Sequence, residues 1–254
     1  MRSFFAHNRA SLPEDRSFRV RGDYPKVVGS LTVEEFREVL LSCNPCYRAL
    51  YLCMFQSGMG VAEAVYWSNH GWRRLKRALE RDEHPIRIDL PGRKRMRNER
   101  PYYTWIGRDA IEALRTYLEV RPRDGKAIFI TKFGKPVTNT SIRLYWRRHL
   151  AQLGLLKDGV GKGRGIRYGR NLHELRDLFR TRWEMSPAKA SIAEFMMGHV
   201  IDPHEYNKIY RHVDYAMEQY LLAEPWLNIL SEEPEKVSVH ELNKTRRELY
   251  ETRK

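Results

Sequence analysis

Residues 171–176 read N-L-H-E-L-R, and residues 195–200 read F-M-M-G-H-V. His173 and Arg176 stand three apart, so on a helix they share a face. Gly198 closes an apolar helical pattern, a position where glycine is favoured, and His199 follows directly. Each residue has an ordinary reading by itself. His173 could bond a backbone carbonyl, Arg176 could pair with Asp177 or Glu174, and His199 could simply cap a helix. Their meaning depends on what else the chain supplies.

The chain has 254 residues, 42% of them hydrophobic, which is enough for a substantial core. Lys and Arg number 46 against 32 Asp and Glu, a net charge of +14. A clustered surplus of this size favours a polyanionic partner, because binding releases condensed counterions. No apolar run approaches the roughly 20 residues that span a membrane, and the N-terminus M-R-S-F-F-A-H-N-R-A has no continuous apolar signal core. A cytoplasmic, nucleoid-associated protein is expected. Three cysteines, Cys43, Cys46 and Cys53, make a disulfide scaffold improbable. The Cys43-Asn-Pro-Cys46 spacing is read as a helix–helix turn with small buried thiols.

Residues 1–30 lack apolar periodicity and are read as an arm or linker. Order begins at L-T-V-E-E-F-R-E-V-L-L, where Thr32 and Glu35 form a capping-box pattern. Asn44-Pro45 breaks that helix, and a helix from Tyr47 to Gln56 is apolar nearly all round. A third helix follows S-G-M-G and grows basic in W-R-R-L-K-R-A-L-E-R. I-R-I-D-L (86–90) and P-Y-Y-T-W-I (101–106) read as two strands joined by a basic turn. A helix over 109–119, a short strand A-I-F-I-T and a helix near 140–153 come next. Residues 154–170 are Gly-rich and basic, and read as a mobile loop. Helices are expected over 172–184, 188–197 and 204–223, with Pro187 in the first turn of the second. Ser238 and Glu241 suggest a last, charged helix. The six tryptophans are read as core. The fold class is α+β, mainly α, with a small antiparallel sheet on one side of a helical core. The divisions are 1–30, a domain over 31–230, and a polar tail over 231–254.

Lys, His, Arg and Tyr together suit phosphoryl transfer from DNA. Cations neutralise the charge that builds on the non-bridging oxygens. Arginine binds phosphate through a planar fork and keeps its charge. A lysine can protonate the leaving oxygen, and a tyrosine can attack to form a covalent phosphotyrosine once cations or a base activate it. The cations at Arg93, Arg95, Arg97, Arg100, Lys157, Lys162, Arg164, Arg167 and Arg170 are read as phosphate anchors.

Over about residues 31–228 the arrangement resembles the catalytic domain of the tyrosine recombinases, the phage-type integrase family. His173-Glu-Leu-Arg176 resembles the family's H-x-x-R motif and Gly198-His199 its G-H motif, at the usual interval. Lys94, in the turn between two strands, resembles the hairpin lysine. Tyr210, in I-Y-R-H-V-D, resembles the nucleophile; Tyr206 is the alternative. The resemblance implies a site-specific recombinase acting through a 3′-phosphotyrosine, with catalytic Tyr210, Arg176, His173, His199 and Lys94. It implies no cofactor and no metal. It implies double-stranded DNA as partner, with self-association on DNA through the C-terminal tail, and no membrane.

Two departures follow. The family opens its site with an arginine in a motif like T-G-L-R-x-x-E. The matching stretch here is Ser57-Gly-Met-Gly60-Val-Ala-Glu63, with Gly60 at the arginine position and Glu63 in a supporting role. On a straight helix Arg73 would lie about 20 Å away, at ~1.5 Å per residue. A duplex-binding protein with impaired cleavage is therefore the alternative function. The usual N-terminal core-binding domain is also expected to be absent.

Overall fold

The computed structural model describes residues 31–92, 101–122, 125–156, 170–199, 208 and 211–231. The described elements run α1 (Val33–Ser42), α2 (Pro45–Ser57), α3 (Val61–His70), α4 (Trp72–Glu80), β1 (Ile86–Leu90), β2 (Tyr102–Ile106), α5 (Arg108–Val120), α6 (Asn139–Gln152), α7 (Glu174–Glu184), α8 (Ala190–Met196) and α9 (Val213–Leu227). Among the described residues the chain is mainly helical, with one small antiparallel sheet, as the sequence implies.

Helix α2 is the axis of the core. All but two of its residues are buried, and it packs against α5, α7, β2 and α1. A helix apolar all round has nowhere to sit but the interior. Asn44 caps it through its side chain and Pro45 occupies the first turn, so the Asn-Pro pair that ends α1 also starts α2. Thr32 and Glu35 form the expected capping box on α1. Cys43, Cys46 and Cys53 are buried free thiols, and burial pushes the Cys43 thiol up to about 12.

A buried amide ties three elements together. Gln56, fully buried, donates through Nε2 to the Leu227 carbonyl (3.2 Å) and Asn228 Oδ1 (3.0 Å). Its Oε1 accepts from the Gly107 and Ala110 amides at the start of α5. The N-terminus of α5 and the C-terminus of α9 are thus fixed to the end of α2. Each of these bonds satisfies a buried polar group that would otherwise cost about 1–3 kcal/mol.

β1 and β2 pair from Ile86↔Ile106 to Leu90↔Tyr102. β1 alternates buried and less buried residues, whereas β2 is buried throughout, between α2 and α8. Thr104 Oγ1 donates to the Ser57 carbonyl at 2.8 Å, which locks the strand to the end of α2. Four tryptophans (67, 105, 146 and 183) are core, while Trp72 and Trp226 are half-buried.

Several elements differ from the sequence expectation. The third helix is two, because Gly71 separates α3 from α4. A-I-F-I-T is not a strand beyond a single bridge, Ile130↔Pro136. Its amides find other partners: Ile128 donates to the Ser68 carbonyl, Phe129 to Ser68 Oγ and Ile130 to the Tyr117 hydroxyl. With those donors satisfied, no ladder is needed. Pro187 is not in the first turn of a helix; α8 starts at Ala190, after a bend in which Ser186 Oγ accepts from the Ala188 amide. The last described helix begins at Val213 and runs through Pro225 to Leu227, later at both ends than 204–223. The basic turn 93–100, the loop residues 157–169, the 1–30 arm and the 232–254 tail with Ser238 and Glu241 lie outside the described residues. No helix among the described residues is long and apolar enough to cross a membrane.

Candidate active site

The site forms where two helices end. Helix α2 closes at Gly58, in the left-handed region at φ 64°, and α8 closes at Met197 and Gly198. The last carbonyls of a helix have no intrahelical partner and carry partial negative charge. Arg176 answers both ends. Its Nη1 donates to the Gly58 carbonyl and its Nη2 to the Met197 carbonyl, each at 2.8 Å.

Arg176 is only 3% exposed. On α7 it falls on the same stripe as Leu172, Leu175, Phe179 and Trp183, all buried. A charge at an apolar-stripe position is tolerated only with full hydrogen bonding, and such local rule-breaking marks functional positions. Asn171 starts the helix by accepting the His173 amide at 2.8 Å through Oδ1. His173 stands exposed at the helix N-cap. The two basic side chains of N-L-H-E-L-R therefore differ: Arg176 is aimed inward and His173 opens the helix at the surface.

Gly198 explains the position of His199. Its φ of 71° lets the chain reverse, with the Gly198 amide donating to the Phe195 carbonyl (2.8 Å) and the His199 amide to the Glu194 carbonyl (3.0 Å). This double bond is the Schellman ending. It folds His199 back along α8, and its Nε2 comes to 3.2 Å from Arg176 Nη2. A Cβ at Gly198 would also lie 2.8 Å from the Tyr102 ring. Gly198→Ala is therefore expected to destabilise the fold by at least about 1–2 kcal/mol, the left-handed penalty alone. Denaturant unfolding checks this; an unchanged midpoint would contradict it.

Gly60 lies on the same face. The three atoms nearest to a Cβ built there are Glu63 Oε2 (2.6 Å), Glu63 Cδ (3.6 Å) and Arg176 Nη1 (3.9 Å). Position 60 thus sits beside the buried arginine, with Glu63 next to it. Arg73 belongs to α4, beyond the Gly71 break.

Two neighbours were not singled out from sequence. Glu194 Oε2 meets His199 Nδ1 at 2.6 Å, and Glu194 Oε1 accepts from Arg180 Nε at 2.5 Å. The signal available was spacing, since a Schellman ending brings the residue four before its glycine beside the residue after it. Glu174 is 6% exposed, and burial, followed by the charge of Asp177, pushes its carboxyl up to about 7. A carboxyl raised from 4.5 to about 7 costs nothing below 4.5; the penalty grows as pH rises between those two values and is complete above about 7. Glu174→Gln is expected to stabilise the protein at pH 8, by up to about 3 kcal/mol, and to do nothing at pH 4. Unfolding curves at the two pH values would test this, and equal effects at both would refute it.

Arg170, read from sequence as a phosphate anchor, has a partner within the fold. It holds Glu35 through two contacts, Nε–Oε2 at 3.0 Å and Nη2–Oε1 at 2.5 Å, and its hydrogen bonds keep the Glu35 carboxyl below the usual range. Its carbonyl accepts from Trp146 Nε1. Arg170 therefore ties α1 and α6 to the entry of α7. Lys94, Tyr206, Tyr210, Arg93, Arg95, Arg97, Arg100, Lys157, Lys162, Arg164 and Arg167 lie outside the described residues. Among the described residues no group of three or more His, Cys, Asp or Glu could hold a metal ion.

No protein-family model and no curated protein matches the sequence. Solved structures do match the fold. A lambda integrase(75–356) dimer bound to a COC′ core site superposes with a TM-score of 0.52 at 15% identity, over 94% of this chain and 72% of that one. The chain has the fold of a tyrosine-recombinase catalytic domain. A lambda integrase tetramer bound to a Holliday junction gives 0.51 at 18% identity, over 82% of this chain and 57% of that one. A second lambda integrase dimer on a COC′ core site gives 0.50 at 16% identity, over 87% and 54%. The chain thus spans between about half and three quarters of these integrase chains. Within the tyrosine-recombinase fold, the H-x-x-R arginine and the G-H histidine of this sequence meet in space although 23 residues separate them.

Proposed function

We propose that the chain breaks and rejoins duplex DNA as a site-specific recombinase, through a 3′-phosphotyrosine on Tyr210. The observation that carries this reading is the meeting of Arg176 and His199 at the converging ends of α2 and α8. Both motifs of the sequence resemblance contribute to one point, the Arg176 guanidinium with an imidazole beside it, and a fixed cation with a hydrogen-bonding neighbour is what a scissile phosphate needs. Arg176 neutralises the non-bridging oxygens. His199 and His173 add hydrogen bonds. Lys94 protonates the leaving 5′-oxygen as Tyr210 attacks, and the remaining basic residues of 93–100 and 157–167 grip the backbone. Self-association on DNA through the 232–254 tail belongs to the same reading.

A covalent-trapping assay on a nicked duplex tests it. The wild-type protein is expected to form a protein–DNA adduct, and Tyr210→Phe to abolish it with almost unchanged DNA affinity. An adduct that survives Tyr210→Phe but not Tyr206→Phe would move the nucleophile to Tyr206. Gly60 favours a second reading, a duplex-binding protein that cleaves poorly or not at all, because glycine offers no cation beside Arg176. Binding without any adduct, with affinity that falls steeply as salt rises, would select it. Preference for RNA over duplex DNA would exclude both.

A further inference from the structure

We propose that Glu194 is the positioning residue of this site: it fixes His199 as the Nδ1–H tautomer, so that Nε2 faces Arg176 as a bare proton acceptor. The argument rests on what each partner is able to do. An ionised carboxylate only accepts hydrogen bonds, and a guanidinium only donates. Glu194 Oε2 lies 2.6 Å from Nδ1, and Arg176 Nη2 lies 3.2 Å from Nε2. The ring between them therefore donates from Nδ1 and accepts at Nε2. A flipped ring would turn carbon to both partners.

Glu194 is ionised for this task. Burial pushes its carboxyl up, but hydrogen bonds from His199 and Arg180 outweigh burial and hold it below the usual range. Arg180 takes Oε1, which leaves Oε2 turned to the imidazole. Arg180 is itself paired with Glu184 one turn on along α7. The Schellman ending supplies the rest of the geometry, since the His199 amide bonds the carbonyl of the same Glu194. Backbone and side chain of one residue thus orient backbone and side chain of the other. The result is a chain of hydrogen bonds that runs from Arg180 through Glu194 and His199 to Arg176.

The arrangement has a chemical consequence. A proton that reaches Nε2 gives the ring a donor at each nitrogen, one on Glu194 and one turned to the site. The carboxylate offsets the new positive charge. His199 is then able to take up a proton beside a bound phosphate and to hold a hydrogen bond to its oxygen. This last step rests on the recombinase reading above, whereas the tautomer does not.

The experiment uses the full-length, ¹⁵N-labelled protein without DNA. Long-range proton–nitrogen correlations separate the two histidine tautomers, and loss of signals in His199→Asn identifies the residue among the nine histidines. The wild type is expected to carry its proton on Nδ1. In Glu194→Ala the ring is expected to shift toward the Nε2–H form. On the nicked duplex, adduct formation should fall by about 10- to 100-fold, the range for carboxylates that orient metal-ligating histidines, with DNA affinity unchanged. Glu194→Gln, of the same shape, guards against misfolding; its one amide oxygen cannot accept from both Arg180 and Nδ1, and its charge is gone, so it should stay folded and still slow adduct formation. A wild-type His199 protonated on Nε2 would overturn the proposal, as would an unchanged tautomer in folded Glu194→Ala. The expected tautomers without any adduct would leave the positioning role standing and defeat the recombinase reading instead.

Discussion

Gly60→Arg is expected to raise covalent adduct formation on a nicked duplex by about two to three orders of magnitude, the value of one charge-stabilising donor at such a site. The backbone accepts the change. Gly60 has φ −81° and ψ 173°, extended values open to any L-residue, so no special glycine conformation stands in the way. The side chain has a defined place. Its Cβ would sit 3.9 Å from Arg176 Nη1, and a second guanidinium there would add a positive charge beside Arg176. Glu63 Oε2 stands 2.6 Å from that Cβ and must swing aside. It is the end of a flexible side chain, and after moving it is well placed to pair with the new cation. Gly60 is also the N-cap of α3 without a side-chain cap, so the loss of helix stability should stay below about 1 kcal/mol. Single-turnover trapping of the wild type and the variant measures the effect. Brisk cleavage by the wild type, unchanged by the substitution, would mean that another arginine serves the site.

Arg176→Lys is expected to lower adduct formation by about two to three orders of magnitude, although charge is conserved. Lysine carries a point charge on a flexible stem and lacks the planar fork. It cannot donate to the Gly58 and Met197 carbonyls and reach His199 at the same time in the way Arg176 does. A buried carbonyl that loses its donor costs about 1–3 kcal/mol, so unfolding should occur at lower denaturant as well. The two effects separate in one experiment. If Arg176 were only a strut between two helix ends, adduct formation would fall no further than the folded fraction does. A loss of a hundredfold or more in protein that is still folded, with duplex affinity nearly intact, places the defect at the phosphate.

The sequence by itself determined whatever depends on residues within a helical turn or two. The capping box of Thr32 and Glu35, the Asn44-Pro45 junction and the glycine that ends α8 before His199 all act across four or five positions. Those interactions exist in any context that lets the helix form. Period and composition likewise placed the buried α2, the β1–β2 pair and the basic surplus, and the order of motifs gave the family resemblance. Only the tertiary structure decided which polar groups meet. That Arg176 turns inward to Gly58, 118 residues away, depends on where α2 and α8 end in space. The same holds for Gly60 beside Arg176, for Arg170 held by Glu35 across 135 residues, and for A-I-F-I-T bonding to Ser68 and Tyr117 rather than forming a strand. A donor's local sequence states that it must be satisfied, but not by which acceptor. That choice falls to the packing of the whole core, which brings distant chain segments to hydrogen-bonding distance.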